Sequence, residues 1–132
     1  MTSAVERDFL GWPAAGTLFP ISAASVRVVR DEHPYHVAER DAAAENWRGE
    51  VARNPALFDG KMVFQKSAVF DRGTIRAEGH IVPYSTFLWW RKQTDCAGGI
   101  HLFAFPVLVS SDGALIAIRM SEIGRASCRE RV

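Results

Sequence analysis

The sequence predicts an α+β or α/β fold, a mixed sheet with an N-terminal helix and β-hairpins, and three observations lead there. Strand-like and helix-like periodicities alternate from Pro20 onward, which favours a mixed architecture over a bundle or a sandwich. One stretch repeats its apolar residues at helical spacing and stops before a proline, while two others alternate with period two across short turns. The chain's 132 residues, 48% of them hydrophobic, suit one ordinary soluble core.

Residues 1–19 carry no clear period, and Gly11, Pro13 and Gly16 punctuate them. They are expected to form a loose arm, or to follow from a wrongly chosen start codon. Val26, Val28 and Val29 make a short strand ending at Asp31-Glu32-His33-Pro34. Beyond it Val37, Ala44, Trp47 and Val51 recur at helical spacing, with Glu39, Arg40, Glu45, Arg48 and Glu50 at other positions, so an amphipathic helix is predicted. It should stop near Asn54, because Pro55 disfavours a helical conformation in the residue before it. A loop, residues 54–60, follows.

Met62, Phe64, Ala68 and Phe70 alternate with Val63, Gln65, Ser67 and Val69 up to a turn at Asp71-Arg72-Gly73. Ile75, Ala77, Gly79 and Ile81 then alternate with Thr74, Arg76, Glu78 and His80. The pair is a predicted hairpin whose second strand has one wetter face. Residues 85–92, with Phe87, Trp89 and Trp90, are expected to form a helical turn, and residues 96–99 a loop. Residues 102–109 are predicted as a largely buried strand. Ser111-Asp112-Gly113 then turns the chain, since Asp and Gly tolerate positive φ, and residues 114–120 complete a second hairpin. The sequence has no internal repeat and no low-complexity tract.

The last eleven residues, Glu122, Ile123, Gly124, Arg125, Ala126, Ser127, Cys128, Arg129, Glu130, Arg131 and Val132, resemble one translated frame of a widely used sequencing adapter, whose next codon is a stop. Residues 122–132 are therefore expected to be artefactual, and the chain to be the front part of a longer protein. Setting them aside changes the charge balance. The full chain holds 16 Lys and Arg against 15 Asp and Glu; the tail takes three Arg and two Glu, which leaves thirteen of each sign. A neutral chain gives no electrostatic ground for binding nucleic acid or an anionic membrane, so neither is expected as a partner. Cys128 falls in the tail, and a lone Cys96 cannot form an internal disulfide, which points to a reducing, cytoplasmic setting. The longest near-apolar run, residues 100–109, is interrupted by His101 and Pro106 and is too short to cross a bilayer. The N-terminus lacks the basic start and apolar stretch of a signal peptide.

The run Arg53-Asn54-Pro55-Ala56-Leu57-Phe58-Asp59-Gly60-Lys61-Met62, with Trp47 upstream, resembles the N-terminal region of certain Nudix hydrolases. So does Gly79-His80-Ile81-Val82-Pro83-Tyr84-Ser85-Thr86-Phe87-Leu88-Trp89-Trp90-Arg91. The hairpin expected over residues 105–120 is similar to the strand pair that opens the Nudix sheet. The resemblance covers roughly residues 21–121 and implies a partial Nudix-type domain over residues 20–121. It further implies hydrolysis of a diphosphate linked to a nucleoside or similar group. In that family the catalytic box, G-x5-E-x7-R-E-U-x-E-E-x-G-U with U aliphatic, holds Mg or Mn through hard carboxylate oxygens, and the metal activates water. This chain has no Glu-Glu pair, and the box is expected beyond Met120. No catalytic residue and no metal ligand is therefore assigned, and the fragment itself is expected to be inactive. Arg119 is the one candidate for substrate binding, against its more ordinary reading as a surface arginine.

Other candidate chemistry has simpler explanations. Asp31, Glu32, His33 and His36 suggest a metal cluster, yet a polar helix start accounts for them and their spacing fits no established ligand pattern. Cys96 near His101 suggests a thiol nucleophile, but no third orienting group or local signature accompanies them. Phe87, Trp89, Trp90, Arg91 and Lys92 could stack bases, although on a neutral domain core or interface packing explains them better. Three functions follow for test: part of a Nudix-type hydrolase acting on a nucleotide diphosphate derivative, a small interaction module using an aromatic patch around Trp89 and Trp90, or a thiol hydrolase built on Cys96. The oligomeric state is open.

Overall fold

A computed structural model describes residues 9–117, and the fold is α+β. Five strands and two helices follow in the order β1 (Ala23–Val29), α1 (Pro34–Arg53), β2 (Lys61–Asp71), β3 (Thr74–Pro83), α2 (Tyr84–Lys92), β4 (Leu108–Val109) and β5 (Leu115–Ile116). The main sheet has the order β1-β3-β2, with β1 parallel and β2 antiparallel to the central β3. β4 and β5 form a separate two-stranded ribbon.

The hairpin between β2 and β3 forms where alternation predicts it. Arg72 and Gly73 both take positive φ, 50° and 79°, the combination that matches the right-handed twist of the strands it joins. One residue breaks the regular pairing: Gln65 faces Gly79 but Ser67 faces Glu78, so Lys66 is the extra residue of a bulge. The bulge turns Phe64 and Ala68 of β2 to opposite faces of the sheet. Ala68, Ala77 and Ile75 are buried on one face near the turn, whereas Phe64, His80 and Val82 are buried on the other face toward the far end. β3 itself alternates regularly, and the reading of one of its faces as wetter throughout is corrected at its second half, where that face is the covered one. His80, expected on the wetter face, is buried, while Ile81 is 48% exposed.

Each face has its own cover. On the helical side Phe64, Val82, Tyr84, Phe87 and Trp90 form one cluster, with Tyr35, Trp47 and Met62 against it. On the opposite side Ala68, Ala77 and Ile100 form a second, with Trp12 and Leu102 beside them. Within residues 9–19, the Trp12 indole donates to the Ala68 carbonyl at 3.3 Å, and Trp12 and Phe19 both lie against Phe70.

α1 stands at the predicted place and ends at Asn54 as expected. Its apolar stripe is displaced, however. Val37 is 54% exposed and Ala44 is exposed, while Ala43 is the buried residue of the helix. The reason is the partner. α1 lies beside α2 through a row shifted from the predicted one, with His36 bonded to Thr86, Glu39 to Trp89, and Asn46 and Glu50 to Lys92. Much of that contact is polar, so the largest apolar residues do not mark it. α2 is longer than the helical turn anticipated for residues 85–92. Asp59 accepts from both the Ser85 amide and its hydroxyl, at 2.8 and 2.9 Å, satisfying donors that a helix start leaves open.

The largest correction concerns residues 102–109. Instead of a largely buried strand they contain only the two-residue β4, and Phe103, Phe105, Val107, Leu108 and Val109 are all exposed. The turn expected at Ser111-Asp112-Gly113 does form: Leu108 pairs with Ile116, Val109 with Leu115, and Gly113 has φ 84°. Leu115 and Ile116 are exposed as well. Burial fails here because no element covers either face of the ribbon among the described residues.

Candidate functional site

The polar groups that the fold brings together most closely lie where α1 begins. His33 is the residue before Pro34, and its Nδ1 accepts the Tyr35 amide at 3.0 Å, capping the helix. Proline suits the first helical position because it has no amide hydrogen to leave unpaired. An Nδ1 that accepts must be unprotonated, so the ring carries its proton on Nε2 and donates it to the Gln65 carbonyl at 3.2 Å. The ring stacks on Phe64 with centroids 4.6 Å apart and meets His80 edge-on at 5.2 Å. His33 and His80 are both buried. Burial, before any neighbouring charge, pushes the His33 pKa below the ordinary imidazole value, and the Gln65 carbonyl pulls the other way.

His80 binds the same junction from β3. Its Nδ1 donates to the Asp31 carbonyl at 2.7 Å, while its Nε2 is buried without a hydrogen-bond partner. His36 joins the group from the first turn of α1, with Nδ1 2.7 Å from the Thr86 hydroxyl. Gln65 completes the arrangement on the far side of β2. Its backbone exchanges hydrogen bonds with Ile100, and its side-chain amide exchanges two more with the backbone of Leu102, at 2.9 and 3.1 Å. A side chain thus stands in for backbone next to the bulge and holds residues 100–102 along the edge of the sheet.

The structure separates the other candidate residues. Of the four residues at the helix start, Asp31 offers its carbonyl to His80, Glu32 accepts from Arg40, His33 caps the helix and His36 meets Thr86. Among the described residues no group of three or more His, Cys, Asp or Glu is placed to hold a metal ion. Cys96 has its thiol 3.5 Å from the Gln93 carbonyl, whereas His101 lies tilted against Phe87 and stacked on Phe103, with centroids 4.5 and 4.9 Å apart. The two do not make a nucleophile and base pair. Burial, followed by the charge of Arg91, lowers the His101 pKa.

Trp89 and Trp90 point apart. The Trp89 indole donates to Glu39 at 3.1 Å, and Trp90 is buried against Phe64 and Phe87. The exposed aromatic surface lies further on, at Phe103 and Phe105, which stack on each other while the half-buried His101 stacks on Phe103. Arg119, the candidate substrate-binding residue, lies outside the described residues. No helix among the described residues is long and apolar enough to cross a membrane.

Sequence reasoning did not single out His80 or Gln65. The available signals were weak: a histidine amid residues assigned to the wetter side, and a glutamine flanked by Phe64 and Lys66. Compared with family models, curated proteins and solved structures, the chain matches none.

Proposed function

We propose that this chain is the front part of a Nudix-type hydrolase that cleaves a diphosphate linkage in a nucleotide diphosphate derivative, and that by itself it is inactive. The reading rests on the segments 53–62 and 79–91 quoted above. The structural observation that supports it is the exposed ribbon. Seven large apolar residues, Phe103, Phe105, Val107, Leu108, Val109, Leu115 and Ile116, face solvent in succession, and a patch of this kind on a soluble domain is ordinarily covered by something. In this proposal the cover and the glutamates that would hold Mg or Mn are encoded after Ser121, in place of residues 122–132. The complete enzyme would work in the cytoplasm. No catalytic step is assigned to the described residues.

The decisive experiment is to sequence the genomic reading frame through the Ser121 codon and express what it encodes. The expected result is a Nudix box downstream and magnesium-dependent hydrolysis of nucleotide diphosphate derivatives by the longer product, with none by residues 1–132. Turnover by the 132-residue chain alone would refute the proposal. A second reading, an interaction module, is favoured by the exposed rings of Phe103 and Phe105 rather than by the Trp89 and Trp90 patch. It requires the natural frame to stop within a few codons of Ser121.

A further inference from the structure

We propose that His33 and His80 form an acid-operated latch that fastens the start of α1 to the sheet, closed while the His33 ring is neutral and opened by a proton on it. Both rings bridge the same junction. His33 joins the helix amide of Tyr35 to the Gln65 carbonyl of β2, and His80 joins β3 to the Asp31 carbonyl just before the helix. The His33 ring has no place for another proton. On His33 it must go to Nδ1, the atom that accepts the Tyr35 amide, so a donor would face a donor and the cap would break. On His80, Nδ1 is taken up by the Asp31 carbonyl and Nε2 is buried without a partner, so this ring holds the junction from the β3 side.

The surroundings reinforce this. The titratable groups that act on His33 are His80 from β3, Lys66 from β2 and His36 from α1, and each opposes a proton on it. α2 contributes Thr86, a neutral hydroxyl already bonded to His36. A ring held below its ordinary value leaves the folded protein unprotonated at a pH where the unfolded chain has bound a proton. The stabilisation is therefore complete above the ordinary value of 6.5 and is lost as pH falls through the folded value. Further along α1, Trp47 packs on Tyr84 and Glu39 accepts from Trp89, contacts that involve no histidine. Acid should consequently free the first turn of α1 before it loosens the rest.

The test is hydrogen exchange on the full 132-residue chain, with protection factors corrected for intrinsic exchange. Between about pH 7.5 and about pH 5, protection at the Tyr35, His36 and Val37 amides should fall roughly fivefold, the factor that one lost helix cap corresponds to, while Ala77 in the middle of β3 keeps its protection. In the double variant His33→Asn, His80→Gln the loss should disappear, because asparagine caps a helix without titrating. Unchanged protection in the parent chain, an equal loss across β3, or the same loss in the double variant would each overturn the latch. Should the double variant not fold, ring-nitrogen NMR of the parent chain decides the matter. The latch needs a proton on Nε2 of His33 and on Nδ1 of His80 at neutral pH, and the opposite tautomer at either ring would overturn it.

Discussion

The hairpin of β2 and β3 and the ribbon that follows it make an instructive pair. The first strand of the ribbon ends the most apolar stretch of the chain, residues 100–109, yet from Phe103 to Val109 the large side chains of that stretch stay exposed. β3 is less apolar, with Arg76, Glu78 and His80 along it, yet it buries Ile75, Ala77, His80 and Val82. What separates them is cover. β3 lies between two strands, with helices on one side and Ile100, Leu102 and Trp12 on the other. Hydrophobicity states how much a segment gains from leaving water, but a second surface has to be present for that gain to be realised.

The sharpest way to break this comparison is to truncate one ring in each region. Phe64→Ala removes a fully buried ring packed against His33, Phe87 and Trp90 and should cost about 3–5 kcal/mol in urea denaturation. Phe105→Ala removes a ring that is 72% exposed and should change stability by no more than about 0.5 kcal/mol. Equal losses would mean that the ribbon is covered in solution. A smaller effect is expected where the two regions join. Gln65→Met keeps the approximate volume but leaves the Leu102 amide and carbonyl without their side-chain partner, a loss of about 1–3 kcal/mol. Protection of the Leu102 amide against exchange should fall with it, and an unchanged rate would show that Ile100 alone anchors the edge. The least effect on stability belongs to Phe103→Ser with Phe105→Ser, expected within about 0.5 kcal/mol for such exposed sites. The readout there is association. Light scattering should show less self-association than in the parent chain, because an exposed apolar patch promotes it, and no change would indicate that these rings are not a contact surface.

Much of the scaffold was legible beforehand. The α+β class, α1 ending at Asn54, the hairpin about Arg72 and Gly73 and the turn at Gly113 all formed as predicted. The histidine site was legible only in part. His33 and His36 were read as belonging to a polar helix start, and the capping bond from Tyr35 to His33 is of that kind. Alternation correctly places His80 on the face of Arg76 and Glu78, but that face is covered toward the far end of β3, which alternation does not show.

The sequence by itself therefore determined where the chain turns, where α1 stops and which strands pair across a tight turn. These depend on φ preferences, proline geometry and neighbours a few residues apart. Tertiary structure alone decided that Lys66 would bulge, that the α1 contact row would run through His36, Glu39 and Ala43, that His33 and His80 would meet, and that the most apolar stretch would stay largely in water. Each of those outcomes depends on a surface supplied by a distant part of the chain, and periodicity along one segment carries no information about what will lie across from it.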